Sequence, residues 1–287
     1  MSDALALFEE QRPDLNRLAY RILGTRTDAD DILQDAYLRW SRTEVSAVKS
    51  PKAFLTTVVT RLCIDRRREI DQRKETYIGQ WLPEPRVQPY AAADRVSEVA
   101  ENVSMALLYV MERLSPAERA AYVLRQIFDY DYETIAEILE KSAASCRQLV
   151  SRAEQHVLQG RPRFAAASDA VARISGEFLQ ACASGDLDGL LRLLTDDVFV
   201  VSDGGGKAKA AIAIIAGSDH VSRFFLGLAR KWPEHAQAEM VLVNGEPGWA
   251  VTLDNQVVTV FAPDFDGDRI RGFYIVRNPD KLPQSIY

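Results

Sequence analysis

Apolar residues recur at helical spacing through the first 75 residues of the chain and predict three helices. In the first helix Leu15, Leu18 and Ile22 share one face, and Gly24 is typical of a helix end. The second helix lies in TDADDILQDAYLRW, which begins with residues suited to capping. The third lies in SPKAFLTTVVTRLCIDRRRE, where Pro51 follows a serine cap. Its first half is apolar and its second half is rich in arginine.

Proline interrupts this helical pattern after residue 76. The segment WLPEPRVQPY carries three prolines in ten residues, which excludes one regular helix. Helices are predicted again in ENVSMALLYVMERLSPAERAAYVLRQIF, and then as two short helices in YETIAEILE and SAASCRQLVSRAEQHVL. We therefore expect a linker at 76–100, a helical domain at 101–163 and a hinge from Gly160 to Ser168.

The pattern changes again after about residue 170. One helix is predicted over FLQACASGDLDGLLRLLTDD, a β-rich run follows in VFVVSD, and another helix begins at the Ser218-Asp219 cap. Strand-like runs come next in AEMVLV, GWAVTLD, QVVTVFAP and RIRGFYIVRNP. Asn244-Gly245 and Asp266-Gly267 are turn signals between these runs. The order of elements predicts an α+β domain with a curved antiparallel sheet over 170–287.

The composition is that of an ordinary globular protein, with 47% hydrophobic residues, 26% charged residues and a net charge of −6. No stretch approaches the roughly 18 uninterrupted apolar residues of a membrane span, and no signal peptide is predicted at the N-terminus. Cys63, Cys146 and Cys182 lie far apart without CxxC spacing. That spacing argues against a disulfide framework or a zinc site and suits a reducing compartment. We expect a cytoplasmic protein without a metal site or cofactor.

Basic residues gather in two segments although the whole chain is acidic. Between Arg61 and Lys74 six basic residues face three acidic ones, and between Lys141 and Arg163 five basic residues face one. Separate basic segments in an acidic chain are consistent with two DNA contacts. Two solvated helix faces would produce the same count.

The two short helices at 132–158 have the lengths of a helix-turn-helix. Ile135, Ala136, Leu139, Leu149 and Ala153 are predicted to point inward. The predicted groove-facing residues are Ser142, Ser145, Arg147, Gln148, Ser151 and Arg152. Arginine and glutamine read guanine and adenine edges, and serines anchor phosphates. A helix pair of this kind is as often a piece of a bundle, so both alternatives stay open at this point.

Three segments together resemble the extracytoplasmic-function (ECF) sigma factors. SPAERAAYVLRQIFDYDYETIAEILEKSAASCRQLVSRAEQHV resembles region 4, which binds promoter −35 DNA. YRILGTRTDADDILQDAYLRW resembles regions 2.1–2.2, which dock on core RNA polymerase, and SPKAFLTTVVTRLCIDRRR resembles regions 2.3–2.4, which open and read the −10 element. The chain departs from the family pattern at Glu140, where glycine is common, and at Lys141, where an aliphatic residue is common. Glu140 is strained if that position is left-handed.

The resemblance assigns roles to residues of the first domain, 1–75. An acidic and apolar face is expected to bind core polymerase through Asp28, Asp30, Asp31, Asp35, Leu38 and Trp40. The −10 contacts are expected from Lys52, Phe54, Arg61, Arg66, Arg67 and Arg68. The arginines can neutralise phosphates, and Phe54 is either a wedge that stacks on an unpaired base or a core residue. The groove-facing set of the helix-turn-helix is expected to contact the −35 element.

Three short strings resemble group 41 of the ECF sigma factors, which carry a fused SnoaL-like domain that regulates sigma activity in cis. The resemblance thus implies a multidomain chain: two all-α sigma domains, a region 2 helical bundle and a region 4 helix-turn-helix, followed by an α+β SnoaL-like cone domain. The strings are WLPEP (Trp81, Leu82, Pro83, Glu84, Pro85), DGGGK (Asp203, Gly204, Gly205, Gly206, Lys207) and NPDKL (Asn278, Pro279, Asp280, Lys281, Leu282).

The DGGGK string resembles a phosphate-binding loop only superficially. A P-loop needs GxxxxGK[ST] between a strand and a helix, whereas here Lys207 precedes Ala208 and an apolar, strand-like run, AKAAIAIIAG, follows. A bulged strand connection that needs glycine dihedrals is one alternative. A docking loop that receives the WLPEP linker, with Trp81 as its anchor, is the alternative we favour.

SnoaL-like domains include cyclases and isomerases, so an enzymatic role needs consideration. His220, Asp254 and Tyr274 are the candidate residues, but they form no paired acid and base at a recognisable spacing. We expect no catalytic residues and no enzyme. Promoter DNA and core polymerase are the expected partners, no membrane is expected, and a small-molecule ligand of the cone stays open. The rivals are a SnoaL-type enzyme or small-molecule sensor with a DNA-binding appendage, and a plain helix-turn-helix repressor.

Overall fold

The computed structural model describes residues 3–90, 103–160 and 168–286. The chain divides into two compact units, each built from two stretches of sequence. The helical unit comprises Met1–Thr76 and Leu108–Gly160, and the sheet unit comprises Tyr77–Leu107 and Arg161–Tyr287. From Tyr77 onward, the linker predicted at 76–100 therefore belongs to the sheet unit as far as it is described. Residues 91–100 of that linker and 161–167 of the predicted hinge lie outside the described residues.

The first stretch of the helical unit forms the three predicted helices. They are α1 (Asp3–Leu23), α2 (Arg26–Trp40) and α3 (Pro51–Glu75), with a short 3-10 turn at Val45–Ala47. Helix α3 begins as expected, because the Ser50 hydroxyl accepts a hydrogen bond from the Ala53 amide (3.3 Å) and Pro51 occupies the first turn. Ile22, Leu55 and Ile70 are fully buried between these helices.

The second stretch of the helical unit carries the helix-turn-helix. Its helices are α4 (Met105–Met111), whose first three residues belong to the sheet unit, α5 (Pro116–Tyr122), α6 (Tyr132–Leu139) and α7 (Ala143–Gly160). Helix α5 continues into a π-helical turn at Val123–Ile127. Ser115 and Glu118 form a capping box at the start of α5. Glu140 ends α6 with φ 52°, so the left-handed position expected at this turn is present. A non-glycine residue there costs about 1 kcal/mol.

The described part of the sheet unit contains one curved sheet and three further helices. The helices are α8 (Ser168–Ser184), α9 (Leu187–Leu193) and α10 (Ser218–Ala229). The strands are β1 (Val87–Pro89), β2 (Leu194–Asp203), β3 (Ile215–Ala216), β4 (Gln237–Val243), β5 (Glu246–Leu253), β6 (Gln256–Asp266) and β7 (Arg269–Val276). Their order is β1-β4-β5-β6-β7-β2-β3, and all neighbours are antiparallel except β2 and β7.

Aromatic side chains form the core between the helices and the sheet. The ring of Phe178 on α8 lies 4.9 Å from Phe225 on α10, 5.7 Å from Trp249 on β5 and 5.0 Å from Phe273 on β7. These four rings lie in one buried cluster with Leu190 and Val221. The α+β cone predicted for this part of the chain is confirmed.

Two local predictions in the sheet unit are wrong. The single helix expected over 178–197 is two helices followed by the start of β2 at Leu194. The helices separate because Gly185 takes φ 76° and Asp186 then caps α9 by accepting from the Gly189 amide (2.8 Å). The run AKAAIAIIAG is strand only at Ile215–Ala216, and Ile212 within it is 74% exposed. Alternating apolar residues indicate a strand only where a neighbouring strand is present to pair with them.

Among the residues that the structure describes, no helix has the length and apolar character needed to cross a membrane.

Candidate functional site

Asp203, the last residue of β2, is the centre of a buried polar site in the sheet unit. Its carboxylate is fully buried and accepts three hydrogen bonds from the linker and the C-terminal segment. The donors are the Leu82 amide (2.9 Å), the Tyr77 hydroxyl (2.5 Å) and the Lys281 ammonium (2.8 Å). Burial raises the pKa of Tyr77, and its bond to Asp203 raises it further, so the hydroxyl stays protonated and donates. One carboxylate thus joins all three short strings.

Lys281 is the cationic partner at this site and is only 4% exposed. Besides Asp203, it donates to the Leu82 carbonyl (2.7 Å). Its Nζ lies 3.3 Å from the centroid of the Trp81 ring and 4.9 Å from that of Tyr77. A buried ammonium that has a carboxylate, a carbonyl and two aromatic faces has exchanged its water for adequate partners. Trp81 is therefore an anchor of the linker.

The glycines of DGGGK allow two other segments to approach closely. Gly205 has φ 60°, and a Cβ there would lie 2.4 Å from the Asn278 side chain. Gly206 has φ 71°, and a Cβ there would lie 3.0 Å from Ile78 of the linker. Any side chain at either position is strained and displaces its neighbour. The loop is shaped by contact with NPDKL and the linker, and no helix N-terminus follows it to bind phosphate.

The remaining residues of the three strings surround this centre. Leu82, Pro83, Glu84, Pro85, Gly204 and Asn278 are buried, Trp81, Gly205 and Leu282 are half-buried, and Gly206, Lys207, Pro279 and Asp280 are exposed. At the rim Lys207 and Asp280 form an ion pair of 2.5 Å with both side chains more than half exposed. The site therefore has a buried ion pair, Asp203–Lys281, at its centre and a solvent-exposed ion pair, Lys207–Asp280, at its edge.

Asn244 makes a second contact with the linker that sequence reasoning missed. This residue is buried in the β4–β5 turn with φ 55°. Its amide donates to the Arg86 carbonyl (2.8 Å), its Oδ1 accepts from the Arg86 amide (3.0 Å), and its Nδ2 donates to the Val103 carbonyl (3.1 Å). The strand β1 continues this contact, with Val87 opposite Val243 and Pro89 opposite Val241. The asparagine was visible in the sequence only as a turn signal.

Replacing Asn244 by alanine is expected to release the linker from the β4–β5 turn at Arg86 and Val103. Two side-chain hydrogen bonds are lost at about 0.5–1.5 kcal/mol each, so trypsin should cleave after Arg86 about tenfold faster than in the wild type. Asn255→Ala is the matched control, because Asn255 also lies in a hairpin turn with positive φ (62°) but outside the linker contact. Equal cleavage rates in the two variants would contradict a clamp at Asn244.

Five of the predicted −35 residues lie on the exposed face of α7, and Ser142 lies just before the helix begins. Ser142, Ser145, Arg147, Gln148, Ser151 and Arg152 are all exposed, whereas Cys146, Leu149, Val150 and Ala153 are buried. Arg147 pairs with Glu133 (3.2 Å) and lies over the Tyr132 ring, and Arg152 pairs with Glu118 (3.0 Å). The Arg147–Glu133 pair is exposed on both sides and costs little to exchange for phosphate or base contacts, whereas Glu118 of the other pair is largely buried.

The predicted −10 residues on α3 are placed differently from one another. Lys52 and Arg68 are exposed, and Phe54 is half-buried with its ring 5.7 Å from Trp40. Arg61 donates to the carbonyls of Ile138 (3.0 Å) and Glu137 (3.1 Å), and Arg66 pairs with Asp28 (3.4 Å). In the helical unit Arg61 and Arg66 thus already have protein acceptors.

Arg67 is a correction to that set, because its side chain is fully buried and faces no solvent. It donates to the Leu23 carbonyl (3.0 Å) and to both carboxylate oxygens of Glu112 (3.1 and 2.8 Å). The same carboxylate accepts from Arg119 (2.6 Å) and from Lys74. Arg67 is therefore a member of a buried ionic network that joins α3 to α4 and α5.

Opposing effects set the protonation of the network. Burial alone would raise the pKa of Glu112, but the charges of Arg119, Arg67 and Lys74 more than reverse this and hold its pKa well below the usual range. Burial and the nearby charge of Arg67 lower the pKa of Arg119 to about 10. Glu112 is thus ionised and fully paired at neutral pH, and this residue carried no signal in the sequence.

Most residues of the predicted polymerase-binding set lie on the surface of α2. Asp30, Asp31, Asp35 and Leu38 are exposed, and Asp28 is largely buried beside Arg66 and Arg73. Trp40 is the second correction, because it is fully buried and its Nε1 donates to the Ala4 carbonyl (2.7 Å). A buried indole adds nothing to a surface, so Trp40 is a core residue of the helical unit.

A helix-turn-helix with an exposed polar face, a three-helix bundle with an acidic face and a fused cone domain define a sigma factor with an accessory domain. Two family models match the chain: Sigma-70 region 2 over residues 7–73 and Sigma-70, region 4 over residues 104–157. The chain belongs to the extracytoplasmic-function family of RNA polymerase sigma factors. The assignment to group 41 stays a prediction.

Curated relatives are similar over nearly the whole chain. The ECF RNA polymerase sigma factor SigJ of Mycobacterium tuberculosis is 41% identical over 298 residues, which cover 97% of this chain and 93% of SigJ. The probable ECF RNA polymerase sigma factor SigI of the same species is 30% identical, with 96% and 94% covered. The crystal structure of M. tuberculosis SigJ aligns with a TM-score of 0.79 and 36% identity, covering 98% of this chain and 99% of that one. The SnoaL-like accessory domain is part of this similarity.

Proposed function

We propose that the chain directs promoter-specific transcription initiation and that its sheet unit regulates this activity in cis by holding the linker. As a sigma factor the chain binds core RNA polymerase and promoter DNA. Helix α7 reads the −35 element, the exposed basic residues of α3 serve the −10 element, and the acidic face of α2 meets the polymerase. The polymerase performs the chemistry, so the chain itself is not an enzyme, and it works in the cytoplasm where the polymerase is.

The burial of Asp203 and Lys281 against the linker is the observation that supports regulation. The linker joins the region 2 and region 4 segments along the chain, and 27 residues separate Thr76 from Ser104. A free segment of that length spans up to about 90 Å when extended. Bound at Tyr77–Leu82, at Arg86–Pro89 and at Val103, it cannot extend. Docking and release of the linker are then two states whose balance sets how far the DNA-binding segments can separate.

Transcription with reconstituted polymerase tests both parts of the proposal. Core enzyme alone should give no promoter-specific transcript, and core enzyme with the full chain should give one. Trp81→Ala removes the ring over Lys281 without breaking the Asp203–Lys281 pair, so we expect a several-fold change in transcript with both units folded. Lys207→Ala, at the exposed rim, is the control and should match the wild type.

Each result has a separate meaning. Absence of any specific transcript would contradict the sigma role of this chain. Identical output from Trp81→Ala and the wild type, with both folded by circular dichroism, would contradict regulation through the linker.

A sensor of small molecules remains a second candidate, and one observation favours it. The sheet unit contains a cavity of about 360 Å³ between its helices and its sheet. A volume in this range accommodates small ligands.

A further inference from the structure

The cavity lies between α8, α10 and the strands β4, β5 and β6. Helix α8 contributes Phe178, Leu179, Cys182 and Ala183, helix α10 and the turn after it contribute Phe225, Leu228, Ala229 and Trp232, and the sheet contributes Ala238, Trp249, Val251 and Phe261. Leu179 and Trp232 are 39% and 42% exposed, so they mark the side that opens to solvent. The cavity is a pocket with one apolar mouth.

Among the residues that the structure describes, the lining contains no charged side chain, and its polar groups are the Cys182 thiol and the indole N–H groups of Trp232 and Trp249. Burial raises the pKa of the Cys182 thiol to about 12, which keeps it neutral, and the Trp232 Nε1 already donates to the Ala236 carbonyl (3.0 Å). The candidate catalytic residues lie elsewhere. His220 bonds to the Ala216 carbonyl, Tyr274 packs against Phe199, and Asp254 lies in the β5–β6 turn. The pocket can bind but has nothing with which to move a proton.

This lining also restricts the charge of a ligand. A charged group placed in the cavity would lose its water and gain at most the indole N–H of Trp249, whose Nε1 has no other partner among the described residues, at a net cost of several kcal/mol. An aromatic or aliphatic molecule gains about 25 cal/mol for each Å² of apolar surface it removes from water. The volume suits two or three rings or a medium hydrocarbon chain.

The sheet connects the cavity to the linker. Strand β4 supplies Ala238 to the lining and pairs through Ala238 and Met240 with Val251 and Trp249 of β5. On its other edge the same strand pairs with β1 of the linker, where Val87 lies opposite Val243. Because β4 is shared, a ligand that shifts or stiffens it changes the edge on which the linker docks.

We propose that the cavity is a receptor site for a neutral, apolar small molecule and that its occupancy is transmitted to the linker through β4. Binding itself is independent of the regulation described above, and only the effect on transcription rests on the proposed function. A small molecule bound at this site would then regulate transcription by the sigma factor without a second protein.

Two dyes with one ring skeleton test the ligand class on the full chain. N-phenyl-1-naphthylamine is neutral, and 8-anilino-1-naphthalenesulfonate adds a sulfonate to the same rings. We expect saturable binding of one neutral dye per chain, with energy transfer from tryptophan, and at least tenfold weaker binding of the sulfonate. No saturable binding, or equal affinity for the two dyes, would overturn the proposal.

Two phenylalanine substitutions on α10 locate the bound dye. Ala229→Phe fills the cavity and should weaken neutral-dye binding at least tenfold. Gly227→Phe adds the same ring on the same helix at a position where a Cβ meets nothing within 4 Å, and should bind like the wild type. Equal binding by the two variants would place the dye outside this cavity and overturn the assignment.

Transcription in the presence of the dye tests the connection to the linker. Saturating neutral dye should change the transcript from the wild type several-fold and leave Ala229→Phe unchanged. Dye that binds without changing transcription would overturn the role of β4. If Trp81→Ala gave the same amount of transcript as the wild type, the linker mechanism would be contradicted, whereas the dye-binding result would still hold.

Discussion

Asp203→Ala is expected to destabilise the sheet unit by about 3–5 kcal/mol, whereas Asp280→Ala is expected to cost at most about 1 kcal/mol. Both aspartates pair with a lysine, and the two pairs lie in the same site. The difference is burial, since Asp203 and Lys281 are almost entirely out of solvent while Lys207 and Asp280 are more than half exposed. Removing Asp203 leaves the Lys281 ammonium buried beside neutral partners, and it also removes the acceptor of the Leu82 amide.

Urea denaturation followed by tryptophan fluorescence measures this difference. Trp81, Trp232 and Trp249 belong to the sheet unit, so the emission reports mainly on that part of the chain. Trypsin cleavage of the linker gives a second readout, and Asp203→Ala should accelerate it far more than Asp280→Ala. Equal losses of stability in the two variants would show that the buried pair does not hold the linker.

The docking of WLPEP on DGGGK could be expected from the sequence, but the chemistry of the contact could not. Three prolines, three glycines and a lone tryptophan are local signals that need no knowledge of the fold. The pairing of Asp203 with Lys281 rather than with Lys207 depends on which lysine the fold buries. Asn244 was missed for a related reason, since its partners Arg86 and Val103 are more than 140 residues away and contribute only backbone atoms.

Trp40 and Arg67, which were predicted to lie on binding surfaces and are buried, show a different limit of prediction from sequence. Trp40 falls on the same face of α2 as Leu33 and Ala36, and Arg67 falls one turn from Cys63 and Ile70 on α3. Helical spacing alone therefore placed both residues on buried faces. Residue type alone instead favours an interface for a tryptophan and a phosphate contact for an arginine. Position was the better guide in both cases.

Glu112→Gln is expected to destabilise the helical unit by about 3–5 kcal/mol at pH 7, because it leaves the buried guanidinium groups of Arg67 and Arg119 without their shared anion. Glu133→Gln is the control with identical chemistry, since the Glu133–Arg147 pair is exposed and worth at most about 1 kcal/mol. Urea denaturation followed by far-ultraviolet circular dichroism measures both variants. Equal stabilities would mean that the network does not hold α3 to α4 and α5.

The pH dependence of the same comparison identifies the charge of Glu112 as the cause. Its pKa is lowered in the folded chain, so its contribution is complete above the unfolded value of about 4.3 and is lost as the pH falls below that value. The difference in stability between the wild type and Glu112→Gln should therefore be constant from pH 7 to about pH 5 and shrink at lower pH. A cavity or a changed shape at position 112 would give a difference that does not depend on pH. A constant difference down to pH 3 would thus assign the effect to packing, and a shrinking one assigns it to the buried anion that pairs with Arg67, Lys74 and Arg119.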